Sequence, residues 1–120
     1  MNKPHKKLTA WTDAVDLAQQ IYRVTERFPS NEQFGLTSQI RRAAVSIPSN
    51  MAEGAARQTK KEFIQFLHVS KGSLSELDTQ LEIARRLEYL GQVEWEALNE
   101  RLERVDRMLS GLIRHLRAKH

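Results

Sequence analysis

Apolar residues recur along this chain at alternating intervals of three and four positions, and this spacing constrains the fold more than any other feature. The longest unbroken series contains Trp95, Leu98, Leu102, Val105, Leu109, Leu112 and Leu116. A second series, in which only Ser70 is polar, contains Phe63, Leu67, Ser70, Leu74, Leu77, Leu81 and Ala84. Residues three and four apart lie on one face of an α-helix, so each series predicts a helix with one apolar stripe. Such stripes are typical of helices that pack at the shallow angles of bundles.

Two shorter series precede these and complete the architecture. They are Trp11, Ala14, Ala18, Ile21, Thr25 and Phe28, and then Leu36, Ile40, Ala43, Ile47 and Met51. The sequence therefore predicts four helices near 9–27, 36–57, 59–89 and 93–117. Because the connections between them are short, sequential helices should be antiparallel. We expect one all-α domain over residues 1–120, an elongated up-and-down four-helix bundle whose third helix is roughly 45 Å long.

Three local features support these helix ends. Pro29 pushes the residue before it out of the helical region, which ends the first helix. Thr59 and Glu62 have the spacing of a capping box at the start of the third helix. Gly91 stands where a left-handed residue would end that helix.

The segment RRAAVSIPSNMAEGAAR, residues 41–57, places poor helix formers inside the second helix. Pro48 cannot donate to the carbonyl of Ala44, so we expect a kink near Pro48, with the side chain of Ser49 or Asn50 satisfying a freed backbone group. A hairpin about residue 58 would set Ala43–Ala44 against Gly72–Ser73, with Ser46 facing Ser70. The packing interpretation is favoured over a ligand site, and its residues are Arg41, Arg42, Pro48, Asn50, Glu53, Gly54, Gly72 and Glu76.

Within this packing motif the sequence predicts three further contacts. Gly72 would let the backbones of the second and third helices approach closely, which would explain a glycine in mid-helix. Arg41 or Arg42 would lie level with Glu76 and form an ion pair. Glu53 and Arg57, four residues apart, would form an ordinary helix-surface pair.

No motif of enzyme chemistry is present in the sequence. There is no cysteine, and none of the four histidines belongs to a metal-binding pair of the HExxH or Glu-x-x-His type. Neither of the glycine-rich nucleotide-binding motifs GxGxxG and GxxxxGK[ST] occurs. We therefore expect no enzyme, no metal and no cofactor. The sequence contains neither a signal peptide nor an apolar run of membrane-spanning length, so a cytoplasmic protein without membrane contact is expected.

Charge is unevenly distributed in the predicted bundle, although the net charge is only +4. One end gathers residues 1–7, 53–62 and 111–120, which contribute +3, +1 and +3 and together +7. Residues 23–34 and 82–96, at the other end, contribute 0 and −2. The cations proposed to bind phosphate are Lys6, Lys7, Arg57, Lys60, Lys61, Arg114, Arg117 and Lys119. The alternative is that these cations serve solubility, and that those ending the last helix suit its dipole.

Three stretches of the sequence resemble a known family. They are HKKL with Trp11, then FPSNEQFGLTSQIRRAAVSIPSNMAEGAAR, and then KEFIQFLHVSKGSLSEL with the following TQLEIA. The chain resembles small four-helix-bundle proteins associated with intervening sequences in 23S ribosomal RNA genes. Met51 replaces a more usual isoleucine, and Glu88 interrupts a common leucine-glycine-tyrosine. The C-terminal helix matches only in pattern.

The resemblance implies an up-and-down bundle that assembles into a homopentameric ring, and it implies no catalytic activity. A related accessory protein of diversity-generating retroelements is similar in fold and uses a basic surface toward a reverse transcriptase and nucleic acid. The leading hypothesis is a non-enzymatic, oligomeric scaffold that binds RNA or DNA backbone, alone or alongside a protein partner. The alternative is a protein-binding adaptor that uses apolar surface residues such as Ile64, Val69 and Ile113.

Overall fold

The computed structural model describes residues 3–118, with the backbone alone at residues 6 and 7. The described residues form four antiparallel helices: α1 Thr9–Thr25, α2 Leu36–Ala55, α3 Lys60–Arg86 and α4 Gln92–Ala118. Short 3₁₀ turns cover Pro4–Lys7 and Ser30–Glu32. Each helix packs on two others, in the order α1–α2–α3–α4 and back to α1, within an envelope of 48 × 24 × 21 Å. The predicted all-α, elongated four-helix bundle is confirmed.

The core is built from the apolar stripes. In the α4 series Leu98, Leu102, Val105 and Leu109 are buried, and Trp95, Leu112 and Leu116 at its ends are half-buried against the same core. Ser70, the polar member of the α3 series, is fully buried because its hydroxyl donates to the carbonyl of Ile47 at 2.8 Å. The three-and-four spacing therefore identified the buried face of each helix.

Helix α3 ends earlier than predicted, and the left-handed residue that follows it is not the predicted one. The amide of Tyr89 donates to the carbonyl of Ala84 and that of Glu88 to Arg85, both at 3.0 Å, which is the Schellman pattern of a helix C-terminus. The left-handed residue in this motif is Glu88, with φ 64°. No glycine of the described chain has a positive φ, so the prediction that Gly91 forms this cap was wrong.

Helix α2 runs through Pro48 without a break in its helical assignment. The side chain of Asn50 donates to the carbonyl of Ser46 at 2.8 Å and to the Ser46 hydroxyl at 2.9 Å. Asn50 therefore bonds a backbone carbonyl, as predicted, but that carbonyl belongs to Ser46. The carbonyl that Pro48 leaves without its usual amide partner is that of Ala44. The bend at Pro48 stays a prediction.

The α2–α3 register and its close contact differ from the prediction. The Ser46 hydroxyl lies 2.8 Å from that of Ser73, whereas Ser70 bonds Ile47. Gly72 is exposed, and a β-carbon built there would meet no atom within 4 Å, so its assignment to a close approach was wrong. The close approach is at Gly54, where a β-carbon would lie 2.6 Å from Cβ of Phe66 and 3.2 Å from the carbonyl oxygen of Phe63.

The predicted ion pair to Glu76 is also absent from the described residues. Arg41 turns toward α1 instead, donating to the Thr25 hydroxyl at 2.8 Å and to the Tyr22 carbonyl at 3.2 Å, with its guanidinium 4.6 Å from the Tyr22 ring centre. Arg42 and Glu76 are exposed. The buried Thr25 hydroxyl accepts a hydrogen bond from Arg41, so the guanidinium has a partner without a carboxylate. This explains why Arg41 does not pair with Glu76. The Glu53–Arg57 pair is present at 3.7 Å.

Candidate nucleic-acid interface

The turn between α2 and α3 places three cations at one end of the bundle. Thr59 is the N-cap of α3, and its hydroxyl accepts a hydrogen bond from the amide of Glu62 at 3.1 Å. Lys60 and Lys61 are consequently the first two residues of the helix, and both are exposed. The guanidinium of Arg57 lies 4.8 Å from the ring centre of Phe66, which holds this arginine against the start of α3.

The last turns of α4 lie beside the first turns of α3. Arg117 donates to the ring nitrogen Nε2 of His68 at 3.2 Å. Three residues further along α3, the Lys71 ammonium contacts Ser110 at 2.6 Å and Asp106 at 3.5 Å. Arg114 is exposed between these two levels. The antiparallel pairing therefore brings Arg114 and Arg117 toward the same end as Lys60 and Lys61, as the sequence predicts.

The remaining predicted residues are described in part. Lys6 and Lys7 lie in the 3₁₀ turn Pro4–Lys7, whose backbone packs on α1 and α2, but their side chains are outside the described part of the chain. Lys119 lies beyond the last described residue. We call Arg57, Lys60, Lys61, Arg114 and Arg117 the basic end.

Three cations of the basic end, Lys61, Arg114 and Arg117, have no acidic partner among the described residues. Among the residues that the structure describes, neither Lys61 nor Arg114 makes an ion pair, and Arg117 contacts only the imidazole of His68, which carries no negative charge. Arg57 is shared with Glu53. The positive charges of Lys61, Arg114 and Arg117 are therefore not cancelled by a paired carboxylate.

At the opposite end three arginines, Arg27, Arg85 and Arg86, have acidic partners. Arg85 and Arg86 donate to Glu82 at 2.7 and 2.8 Å and hold the pKa of that carboxyl below its usual value. The same contact raises the pKa of Arg85, whose guanidinium also lies 4.8 Å from the Trp95 ring centre. Arg27 pairs with Glu94 across the α1–α4 gap. These three arginines, unlike Lys61, Arg114 and Arg117, are therefore paired with carboxylates.

The structure shows the surroundings of the aromatic rings near the basic end, which the sequence did not reveal. Phe66 lies under Arg57, and the ring of His5 packs edge-on against Trp11, with centroids 4.8 Å apart. The aromatic rings nearest the basic end thus already have partners within the chain, which disfavours a platform for stacking bases. Helix periodicity could not show the Arg57–Phe66 contact, because it depends on how α2 and α3 dock.

Other sites are weaker candidates. No group of three His, Cys, Asp or Glu side chains in the described chain is placed to hold a metal ion. A depression of about 530 Å³ between α1 and α4 is lined by charges of both signs, including Asp13 and Arg104, which pair with each other at 2.8 Å. None of the described helices has the length and apolarity needed to cross a membrane.

The described residues thus define an all-α protein, a four-helix bundle with cations gathered at one end. Residues 6–111 match the family model described as 23S rRNA-intervening sequence protein, and the chain belongs to that family. A crystal structure of a protein of unknown function from the S23 ribosomal protein family of Bacteroides thetaiotaomicron is similar, with a TM-score of 0.80 and 26% sequence identity. The alignment covers 88% of this chain and 98% of that one. No curated protein matches the sequence.

Proposed function

We propose that this protein is a non-enzymatic, oligomeric scaffold of the cytoplasm that binds the RNA or DNA backbone through its basic end. The family name, which associates its members with 23S ribosomal RNA genes, agrees with this proposal without assigning a target. Phosphate recognition by lysine and arginine needs no base contacts, and it fits an end whose aromatic rings already pack within the chain.

The observation that carries the proposal is the position of Lys61 in the first turn of α3, where it is exposed and makes no ion pair among the described residues. The N-terminus of a helix carries partial positive charge, so cations there cost stability, typically about 0.3–1 kcal/mol each. Arg117 and His115, in the last turn of α4, occupy the favourable end of a dipole and need no further explanation. The position of Lys61 does need one, and an external anion would supply it.

Assembly would strengthen such an interface. A ring of parallel copies, which the family resemblance suggests to be a pentamer, would present one basic end per copy on the same side. Contacts that are weak singly would then act together, and the dependence on salt would become steep.

The proposal is tested by fluorescence anisotropy with a labelled RNA stem-loop and a labelled DNA duplex across a range of salt concentrations. Replacing Lys61, Arg114 and Arg117 with glutamine should weaken binding and lower the slope of log K against log salt by about 2–3 for each bound copy. The matched control replaces Arg23, Arg101 and Arg107 with glutamine. These arginines are exposed, form no ion pair in the described chain and lie away from the basic end, so the control makes the same change in net charge.

Equal losses of affinity in both variants would show that binding depends only on net charge. That result would overturn the assignment of the basic end. Absence of binding at low salt would overturn nucleic-acid binding altogether. The second candidate, a protein-binding adaptor, would then lead. Ile113 is buried and Ile64 packs on the core, so of the three residues suggested for an adaptor surface only Val69, 51% exposed, is available to a partner.

A further inference from the structure

The contact between Arg117 and His68 determines which nitrogen of this imidazole carries a proton. Arg117 lies in the last turn of α4, and its Nη2 is 3.2 Å from Nε2 of His68 in α3. A guanidinium can only donate hydrogen bonds, so Nε2 of His68 must accept. The ring proton of His68 is therefore on Nδ1, and the imidazole in this contact is neutral.

Protonation of His68 would turn this contact from attraction to repulsion. A charged imidazole carries a proton on both ring nitrogens, so Nε2 would present a donor to the guanidinium instead of an acceptor. Two positive charges would then lie 3.2 Å apart. An anion placed between the two side chains removes this conflict, because it accepts a hydrogen bond from each of them. The contact seen here and the contact with an anion thus differ by one proton on His68.

Cations flank His68 on both helices. On α3, Lys71 lies about one turn after His68, and Lys61 lies about two turns before it on the same edge of the helix. On α4, Arg114 lies about one turn before Arg117 and is exposed. An anion that approaches His68 therefore also approaches three further positive charges.

The carboxylates on this part of the bundle already have partners. The acidic side chains there are Glu53 of α2, Glu62 of α3 and Asp106 of α4. Glu53 pairs with Arg57, Glu62 accepts the Thr59 hydroxyl, and Asp106 contacts Lys71. Within residues 3–118 no carboxylate pairs with His68 or Arg117. The position between these two side chains is therefore open to an external anion.

We propose that His68 and Arg117 form a proton-linked site for a phosphate of the nucleic-acid backbone, an inference that rests on the function proposed above. The phosphate replaces the imidazole as the acceptor for Arg117, and it accepts a second hydrogen bond from protonated Nε2 of His68. Binding at the basic end then takes up a proton. Affinity consequently rises as the pH falls through the range in which histidine titrates.

The test compares the affinity for the labelled RNA stem-loop at pH 6 and pH 8, at constant ionic strength. Backbone phosphodiesters stay ionised at both values. If the phosphate makes protonation of one imidazole tenfold more favourable, binding should be about fivefold tighter at pH 6. His68→Gln offers an acceptor to Arg117 and a donor to the phosphate but does not titrate. This variant should retain the affinity at pH 8 and lose the gain at pH 6.

His115→Gln is the matched control. His115 lies in the same last turn of α4 as Arg117 but makes no contact with it, so this variant should keep the gain at pH 6. An unchanged gain in His68→Gln, or the same loss in both variants, would overturn the proton-linked site and leave the proposed function standing. Absence of RNA binding at both pH values would overturn the proposed function, and this site with it.

A second measurement needs no nucleic acid. Long-range ¹⁵N–¹H NMR spectra of the histidine side chains show which ring nitrogen carries the proton. At pH 8 the free protein should have the proton of His68 on Nδ1, and a proton on Nε2 would overturn the contact from which the site is inferred. In the RNA complex, both nitrogens of His68 should stay protonated to a higher pH than in the free protein.

Discussion

Gly54 packs so closely on Phe66 that a β-carbon at residue 54 would lie 2.6 Å from Cβ of Phe66. A contact of that length cannot be relieved by rotating the phenylalanine ring, because Cβ is fixed to the backbone of α3. The last turn of α2 can therefore pack at this distance from α3 only with glycine at position 54. This contact sets the turn that carries Arg57, Lys60 and Lys61.

Gly54→Ala should lower the free energy of unfolding by about 1–3 kcal/mol, because the helices must separate to admit the methyl group. Urea denaturation followed by circular dichroism measures the change. Nucleic-acid binding should weaken as well, since the basic end would be displaced. Unchanged stability would show that α2 and α3 are not held at this distance.

Gly72→Ala should have the opposite effect. Residue 72 is exposed within α3, and a β-carbon there meets nothing within 4 Å, so alanine should gain up to about 1 kcal/mol of stability from its higher helix propensity. The same denaturation experiment applies. A loss of stability would mean that another chain or element packs on this face of α3 in solution.

Lys61→Glu should stabilise the fold while weakening nucleic-acid binding. Reversing the charge at the start of α3 should raise the free energy of unfolding by about 0.3–1 kcal/mol at low salt through the helix dipole. Lys61→Ala should show a smaller gain. Both properties are measured on one preparation, by thermal unfolding and by anisotropy. A variant that is both less stable and weaker in binding would indicate that Lys61 has a structural role.

Glu88→Gly should also be stabilising. At φ 64° the β-carbon of Glu88 crowds the backbone, and glycine avoids that cost, so we expect a gain of about 1 kcal/mol. Glu88→Ala is the control, because alanine retains the β-carbon and removes only the charge. If alanine stabilised the fold as much as glycine does, the gain would be electrostatic and the conformational explanation would fail.

The hydrogen bond to Glu32 raises the pKa of Tyr89 above its usual value of 10.0. Ionisation of this phenol removes the donated hydrogen bond and places two negative charges together. The contact therefore contributes stability below pH 10, and this contribution is lost as the pH rises through the folded-state pKa. In a Tyr22→Phe background, which leaves Tyr89 as the single tyrosine, absorbance at 295 nm follows this ionisation.

Glu32→Gln in that background should bring the Tyr89 pKa back toward its ordinary value. An identical titration with glutamate or glutamine at position 32 would show that Tyr89 and Glu32 are not bonded in solution. Such a result would also remove one of the contacts between the α1–α2 and α3–α4 connections.

The sequence by itself determined the number, order and buried faces of the helices. Three-and-four spacing is a local property, and burial of the resulting stripes leaves few arrangements for four helices joined by short connections. The starts of the helices followed from local chemistry for the same reason, as with Thr59 at α3. Gathering of the cations at one end needed only the antiparallel order of the helices.

Only the tertiary structure decided which residues meet between helices. The hairpin prediction set Ser46 against Ser70 and assigned the close approach to Gly72, whereas docking brings Ser46 to Ser73 and makes Gly54 the glycine in contact. Interhelix register depends on how side chains of two surfaces interlock, and a shift of a few residues leaves each apolar stripe intact. For the same reason no local pattern revealed Arg41 bonded to Thr25, Arg57 over Phe66 or Arg117 bonded to His68.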